Sequence, residues 1–216
     1  MPSTMWQMEQ PSAVSKFDPV PVTLCGRHVR LEPLARRHAP ELLVAAADEG
    51  IWRYMPRPRP REVGEVESMI DEALVEARAG RQVPFAVIGA AAGRAVGSTR
   101  YLEIRREHRA LEIGWTWLAA AVQRTAVNTE CKYLLLRHAF EVLGAIRVQL
   151  RTDLRNLRSQ RAIERIGAVR EGVFRQERIM WDGYLRDSVF FSVIDGEWPA
   201  VKAGLEAKLV AAAPAP

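Results

Sequence analysis

Apolar and polar positions along this chain change period several times, and each change marks an element. Val22 to Leu34 alternates around Gly26 and stops at Pro33, which predicts a hairpin-like start to a first strand. His38 to Asp48 predicts a short helix. The stretch Pro56 to Arg61 carries proline at every second position, which forbids helix and predicts a stiff extended loop. From Val63 the period becomes helical. Val63, Val66, Ile70, Ala73, Leu74 and Ala77 share a face, with acidic residues elsewhere and Gly80 as the stop.

Three strands follow over Phe85–Ile88, Ala95–Ile104 and Leu111–Leu118, the last two separated by the charged run Arg105–Arg109, read as a solvated turn. Thr129 to Leu143 predicts a helix apolar over most of its girth, hence packed on two sides. Arg147–Thr152 alternates as a strand. Asn156–Ile166 predicts an amphipathic helix stopped by Gly167. Val169–Met180 and Arg186–Ile194 predict two strands joined near Asp182-Gly183, a strong hairpin signal. The resulting order, β-α-α-β-β-β-α-β-α-β-β, is a mixed α/β layout.

Composition adds boundaries to this picture. With 216 residues, 48% hydrophobic, the chain can bury one core, and the pattern predicts a single domain over 21–205. Residues 1–20 read as a loose leader, with Glu9 and Asp18 and no apolar region of a signal peptide, and 206–216 read as a tail. No apolar run approaches the ~18 residues of a membrane span, so neither membrane insertion nor export is expected and a cytoplasmic location is. Cys25 and Cys131 make no paired motif; Cys131 falls on an apolar stripe as a buried thiol. His28, His38, His108 and His138 show no metal-ligand spacing, so no metal is expected.

The formal net charge is +5, and only four of the 31 basic residues are lysine. The arginines are scattered among acidic residues, without a basic stripe or an aromatic platform. A nucleic-acid partner is therefore not expected, whereas a phosphate-rich small molecule suits the same charge. The oligomeric state stays open, a homodimer included.

Two segments carry candidate chemistry. The first joins the Leu111–Leu118 strand to the Thr129 helix through Gln123-Arg124-Thr125-Ala126-Val127-Asn128. A strand that feeds a helix start gathers unpaired backbone N–H groups and the positive end of the helix dipole, an anion site to which Arg124 and Lys132 would add charge. Asn128 or Thr129 would cap that helix. The second segment runs from Thr152 to Ala168. Asn156 and Ser159 both fall in a first helical turn just after a strand, where either can serve as a cap.

Together these segments resemble the GNAT superfamily of acetyltransferases, and within it the RimJ/RimL-like branch. Gln123 to Asn128 is similar to the family's Q/R-x-x-G-x-G/A loop, with Ala126 and Asn128 at the two glycine positions. Asn156 to Ala168 is similar to its N-x-x-S-x-x-A-I-x-x-x-G-A motif. Glu112–Leu118, Arg30–Leu34, Trp52–Met55 and Phe190–Trp198 fit the same branch, and the likeness covers roughly 22–203.

The resemblance implies a mostly antiparallel mixed sheet of about six to seven strands, helices on both faces and a splayed central strand pair. It implies acetyl-CoA, or another acyl-CoA, as co-substrate and an amine acceptor, a peptide or a small molecule. Binding of the donor would fall to Trp117, Leu118, Gln123, Arg124, Thr125, Ala126, Val127, Asn128, Thr129, Asn156, Arg158 and Ser159, with Asn156 on the pantetheine arm and Arg124 and Arg158 on phosphates. A backbone N–H near Leu118 would meet the oxyanion, Ser159 would be the acid, and Glu112, directly or through water, the base, with Glu103 as a rival. Trp52 and Tyr54 would wall the acceptor site. The Pro56–Arg61 lip is either a solvated loop or a preference for a carboxylate-bearing acceptor or an anionic acyl group such as succinyl. The filled glycine positions leave a second expectation, an acyl-CoA-binding or regulatory module without catalysis.

Overall fold

A computed structural model of the protein describes residues 17–212. It contains one eight-stranded sheet in the order β1-β2-β3-β4-β5-β6-β8-β7. The strands are β1 (Leu24–Cys25), β2 (Val29–Pro33), β3 (Val83–Gly89), β4 (Arg94–Arg105), β5 (Ala110–Leu118), β6 (Arg147–Asp153), β7 (Val169–Ile179) and β8 (Leu185–Ile194). The helices are α1 (Ala39–Ala45), α2 (Val63–Arg78), α3 (Ala126–Arg137), α4 (Leu157–Arg165) and α5 (Trp198–Ala211), with a π-helical turn over His138–Val142 after α3. The sheet has one or two strands more than expected, because the segment from Val22 is a two-strand hairpin rather than a single strand.

Every neighbouring pair is antiparallel except β5 and β6. Those two are parallel and touch at only three positions, Ala110–Glu112 against Arg147–Gln149. Beyond them the strands diverge, which is the splayed pair expected from the resemblance. The cause lies in β5. Its register to β4 jumps between Arg100↔Gly114 and Ser98↔Trp117, and Trp115 between them takes φ 50°. A bulge adds one residue, bends the strand and sharpens its twist. It also inverts the alternation of faces: Leu111 and Ile113 lie in the larger core, but past the bulge Leu118 takes that side and Trp117 crosses to the smaller one.

The sheet is covered on both faces. The larger core packs α3 and α5 on β5, β6 and β8 through Leu134, Leu135, Leu136, Phe191 and Leu205. Each such buried side chain contributes roughly 1.5–3 kcal/mol of transfer free energy. The smaller core packs α1 and α2 on β3 and β4 through Leu42, Trp52, Val66, Ile70 and Ile88. Glu130 of α3 ties the β1–β2 turn to this frame. Its buried carboxylate accepts the backbone N–H groups of Arg27, His28 and Val29, and a Cβ at Gly26 would fall 2.4 Å from it.

The packed residues reach past 21–205 at both ends. Phe17 is buried in the larger core, and α5 runs unbroken to Ala211 with Trp198, Val201 and Leu205 inside. The expected leader lies outside the described residues up to residue 16. The expected tail is helical from 206 to 211, because Trp198-Pro199 starts a helix that the strand-like signal ending at Ile194 conceals. Among the described residues no helix is long and apolar enough to cross a membrane.

Candidate active site

The divergence of β5 and β6 opens a cleft of about 880 Å³. Its walls come from β5, the β5–α3 turn, β6, α4 and the loop after α1. Nine cationic side chains line it, and Glu112 is the single carboxylate among the lining residues. Such a wall favours a ligand with several negative charges.

At one end lies the start of α3. The strand leaves the sheet with the Ala119 N–H on the Val96 carbonyl (2.8 Å). Gln123 then fastens the turn on two sides: its Nε2 donates to the Leu118 carbonyl (2.9 Å), and its Oε1 accepts from Arg158 Nη1 of α4 (2.8 Å). Arg124 takes the left-handed region at φ 63°. Thr125, in extended backbone, is the N-cap, with its Oγ1 accepting from the Val127 N–H (3.3 Å). The next amides fall in the first turn, where no intrahelical acceptor exists, and Ala126 and Asn128 line the cleft.

This corrects the expected start of the helix. The cap is Thr125, not Asn128 or Thr129, and the helix begins three residues before Thr129. Nothing in Ala126-Val127-Asn128 breaks a helix, and Val127 packs against the core, so the turn extends backward to the first residue able to cap. Ala126 and Asn128 are therefore helical. The positive-φ position of this loop is Arg124, and the absence of glycine at 126 and 128 imposes no strain. Thr129 is buried, with its Oγ1 accepting from Arg165.

In the α4 turn, Asn156 is the N-cap and its Oδ1 accepts the Ser159 N–H (3.1 Å). Asn156, Arg158 and Ser159 all line the cleft. The Ser159 side chain is half-buried, and its hydroxyl has no hydrogen-bond partner among the described residues.

The other end is built from buried charge. Glu112 is 2% exposed. Arg151 Nε donates to its Oε1 (3.0 Å) and Gln149 Nε2 to its Oε2 (2.9 Å). Burial raises its pKa above the ordinary 4.5, and Arg151 opposes that rise. Gly114 leaves room for this carboxylate, since a Cβ there would come 2.9 Å from Oε1. Arg151 also donates to Glu177 (2.6 Å). Glu112 is thus neither a solvated strand residue nor an isolated base. It is a buried carboxylate held by two side chains of the neighbouring strand β6.

The same region contains Trp115 and Arg186, which sequence spacing does not single out, and Lys132, expected to add charge at the α3 start. Trp115, at the bulge, lies between the guanidinium groups of Arg100 (4.7 Å) and Arg57 (5.6 Å). Lys132 is buried with its Nζ on Thr116 Oγ1 (2.6 Å), and burial lowers its pKa. Arg186 of β8 is 7% exposed, lines the cleft, and its Nε has no partner among the described residues.

Tyr54 lines the cleft as expected, with Arg155 over its ring at 5.7 Å. Trp52 does not. Its indole N–H donates to the Ala46 carbonyl (2.9 Å) and its ring packs on Trp117 at 5.2 Å. An indole with an internal acceptor is more stable in the core, so Trp52 supports Trp117 from behind. Of the Pro56–Arg61 lip, Pro56 lines this cleft, whereas Arg57–Arg61 line a second groove of about 720 Å³ together with Trp52. Burial pushes the Cys131 thiol up to about 11, which leaves it inert. His38 is buried against Glu32 and His138 stacks on Tyr101. No described cluster of His, Cys, Asp and Glu could hold a metal.

Comparison with known proteins identifies relatives of this arrangement. The Acetyltransferase (GNAT) domain family matches residues 28–169. The Bacillus subtilis (strain 168) protein YdaF, named as a ribosomal N-acetyltransferase, is 32% identical over 95 residues, 44% of this chain and 51% of that protein, so the match spans about half the relative's length. A GCN5-related N-acetyltransferase from Brucella melitensis superposes with a TM-score of 0.84 at 33% identity, covering 91% of this chain and 88% of the other. A T. thermophilus protein named as an acetyltransferase gives 0.80 at 43% identity, covering 88% and 98%. Mycobacterium smegmatis RimJ, solved in complex with CoA-disulfide, shares the fold with a TM-score of 0.76 at 21% identity, covering 87% and 95%.

Proposed function

The chain belongs to the GNAT acetyltransferase family, and on that premise we propose that it transfers the acyl group of an acyl-CoA, acetyl-CoA foremost, to a primary amine. The observation that carries this reading is the wedge between β5 and β6. It has helix-start amides with Arg124 and Arg158 at one end and the buried Glu112 at the other. The donor's diphosphate lies on the first turn of α3 and its pantetheine arm along β5 past Asn156. A peptide amino terminus is the favoured acceptor, in keeping with the name of the YdaF relative. A binding-only module gains nothing from Ala126 and Asn128, since neither position calls for glycine.

In the reaction the neutral amine nitrogen attacks the thioester carbonyl carbon. A C–N bond forms, the C–S bond breaks, and coenzyme A leaves as a thiolate. The charge that develops on the carbonyl oxygen meets backbone N–H groups that the Trp115 bulge frees from the sheet ladder. Glu112 takes the proton of the incoming ammonium through water, since its own oxygens are buried. The Ser159 hydroxyl protonates the departing thiolate and is restored, through solvent, by the proton that the nitrogen loses as the amide forms. Alignment of donor and acceptor along the wedge supplies the proximity contribution.

The test is thiol release by the purified full chain, with acetyl-CoA and succinyl-CoA set against amines and peptides. Turnover with at least one acceptor is expected, together with heat of CoA binding in calorimetry. Ser159→Ala should lower kcat roughly 10–100-fold while CoA affinity stays within about twofold. Equal losses in both would move Ser159 from proton donation to cofactor binding. CoA binding without turnover on any acceptor would reject transfer, and no heat with any CoA species would reject the reading altogether.

A further inference from the structure

A buried cation without a counter-charge is costly, because desolvation is repaid only by a partner. Arg186 comes close to this case: Asp153 and Glu177 attract its charge, yet neither forms an ion pair with it. It lies at the start of β8, 7% exposed, and its Nε has no hydrogen-bond partner among the described residues. The acids around it are already engaged: Glu112 and Glu177 with Arg151, and Asp153 with Arg155. Burial lowers the Arg186 pKa; the Asp153 and Glu177 charges oppose that fall, and the Arg178 and Arg151 charges add to it.

Arg186 faces the cleft. The register explains why. Glu112 is opposite Gln149, Arg151 is opposite Phe190, and Arg186 follows Phe190 and Ser188 at two-residue steps on the same face. Arg178 of β7 is its direct cross-strand partner and also lines the cleft. Two guanidinium groups therefore stand side by side on the face that carries Glu112, away from the α3 start where phosphates would bind. Like charges placed opposite each other destabilise a strand pair, and an anion between them would remove that cost.

We propose that Arg186, flanked by Arg178, is a carboxylate-binding subsite beside the reacting centre, so that the preferred reaction includes a carboxylate-bearing partner. This rests on the acyl-transfer reading and names its substrate class. The carboxylate has two sources: the free end of a dicarboxylic acyl group on the thioester, or an acidic group on the acceptor close to its amine. Arg186 holds it through the planar fork that suits carboxylates.

The experiment compares carboxylate and neutral partners of similar size, using the full chain. On the donor arm, kcat/KM for succinyl-CoA is divided by that for butyryl-CoA with one fixed amine. On the acceptor arm, peptides with aspartate at the second position are divided by those with asparagine, with one fixed donor. One ratio should favour the carboxylate, and Arg186→Met should lower that ratio roughly 10–100-fold. Arg186→Lys, which keeps the charge without the fork, should lower it less. Arg175→Met, at an exposed arginine of β7, should keep the wild-type ratio. Ratios near one on both arms in the wild type, or a ratio unmoved by Arg186→Met, would overturn the subsite.

A second readout needs no turnover. Succinate alone should raise the melting temperature of the wild type and not that of Arg186→Met. If no acyl-CoA supports turnover but this Arg186-dependent shift persists, the transfer reading fails and the subsite stands. Equal shifts in both proteins overturn the subsite, and if Arg186→Met does not fold, Arg186→Lys decides.

Discussion

The two ends of the cleft hold their charges in opposite ways. At the α3 end, Arg124, Arg158, Arg161 and Lys208 are exposed, and the anion-binding capacity resides in backbone amides that α3 presents by its geometry. At the far end, Glu112, Arg151 and Arg186 are buried or nearly so and come from three different strands. An exposed cation is solvated whether or not a ligand is present, so its loss is mild and screened by salt. A buried charge depends on its neighbours for solvation, so its loss strands them. The first end suits a bulky, mobile, multiply charged group. The second suits a small set of atoms whose protonation must be controlled.

Glu112→Gln gives this contrast its largest expected effect. Removal of a general base lowers kcat roughly 10²–10⁴-fold, whereas CoA affinity, set at the other end, should change by less than about twofold in calorimetry. The wild-type rate should rise with pH along a limb centred above 4.5, because burial raises the Glu112 pKa and only the deprotonated form accepts a proton. The variant should lose that limb. A full-strength limb in Glu112→Gln would give the base role to another group, with Glu103, 3.9 Å from Arg151, as the nearest alternative.

Arg151→Met tests whether the buried end is mutually dependent. Arg151 pairs with both Glu112 (3.0 Å) and Glu177 (2.6 Å). Without it two partly or fully buried carboxylates lose their cation, and breaking a buried pair in this way costs about 3–5 kcal/mol. The loss should be greatest near neutral pH and shrink as pH falls, since the stranded Glu112 has a raised pKa in the folded state and protonation removes its charge. Arg158→Met at the exposed end should change stability by no more than about 0.5 kcal/mol. Urea unfolding of the two variants at two pH values decides, and equal losses would erase the distinction between the ends.

The same contrast explains what the sequence makes legible. The α3 and α4 turns are contiguous stretches, so the strand-to-helix join points to an anion site, although not to Thr125 as its cap, and Ser159 stands out only through the family resemblance. The splayed pair and the mixed α/β layering are legible for a similar reason, since periodicity reports each element and the motif order reports the family. The buried end is not legible. Arg151 and Arg186 reach the neighbourhood of Glu112 only through strand register, and that register depends on a bulge at Trp115 that strand alternation hides. Trp52 is easily misplaced because an aromatic near a proline loop looks like a pocket wall, whereas its N–H has an internal acceptor in Ala46. Helix α5 escapes notice because the last element read from the pattern is the strand ending at Ile194, and the helix start at Trp198 has no side-chain cap to mark it.

The smallest effect is the most diagnostic at the exposed end. The family pattern has glycine where this chain has Ala126, which would suggest that glycine should restore tighter CoA binding. The structure argues otherwise. Ala126 is the first residue of α3 and helical, and the left-handed position is Arg124 at φ 63°. Glycine at 126 would only add freedom to the unfolded chain and weaken the helix start. Ala126→Gly should therefore cost less than about 1 kcal/mol of stability and change CoA affinity by less than about twofold. If calorimetry instead finds CoA bound tenfold more tightly, the donor is gripped by a glycine-type loop rather than by the amides of a helix that begins at Ala126, and the contrast between the two ends must be redrawn at this residue.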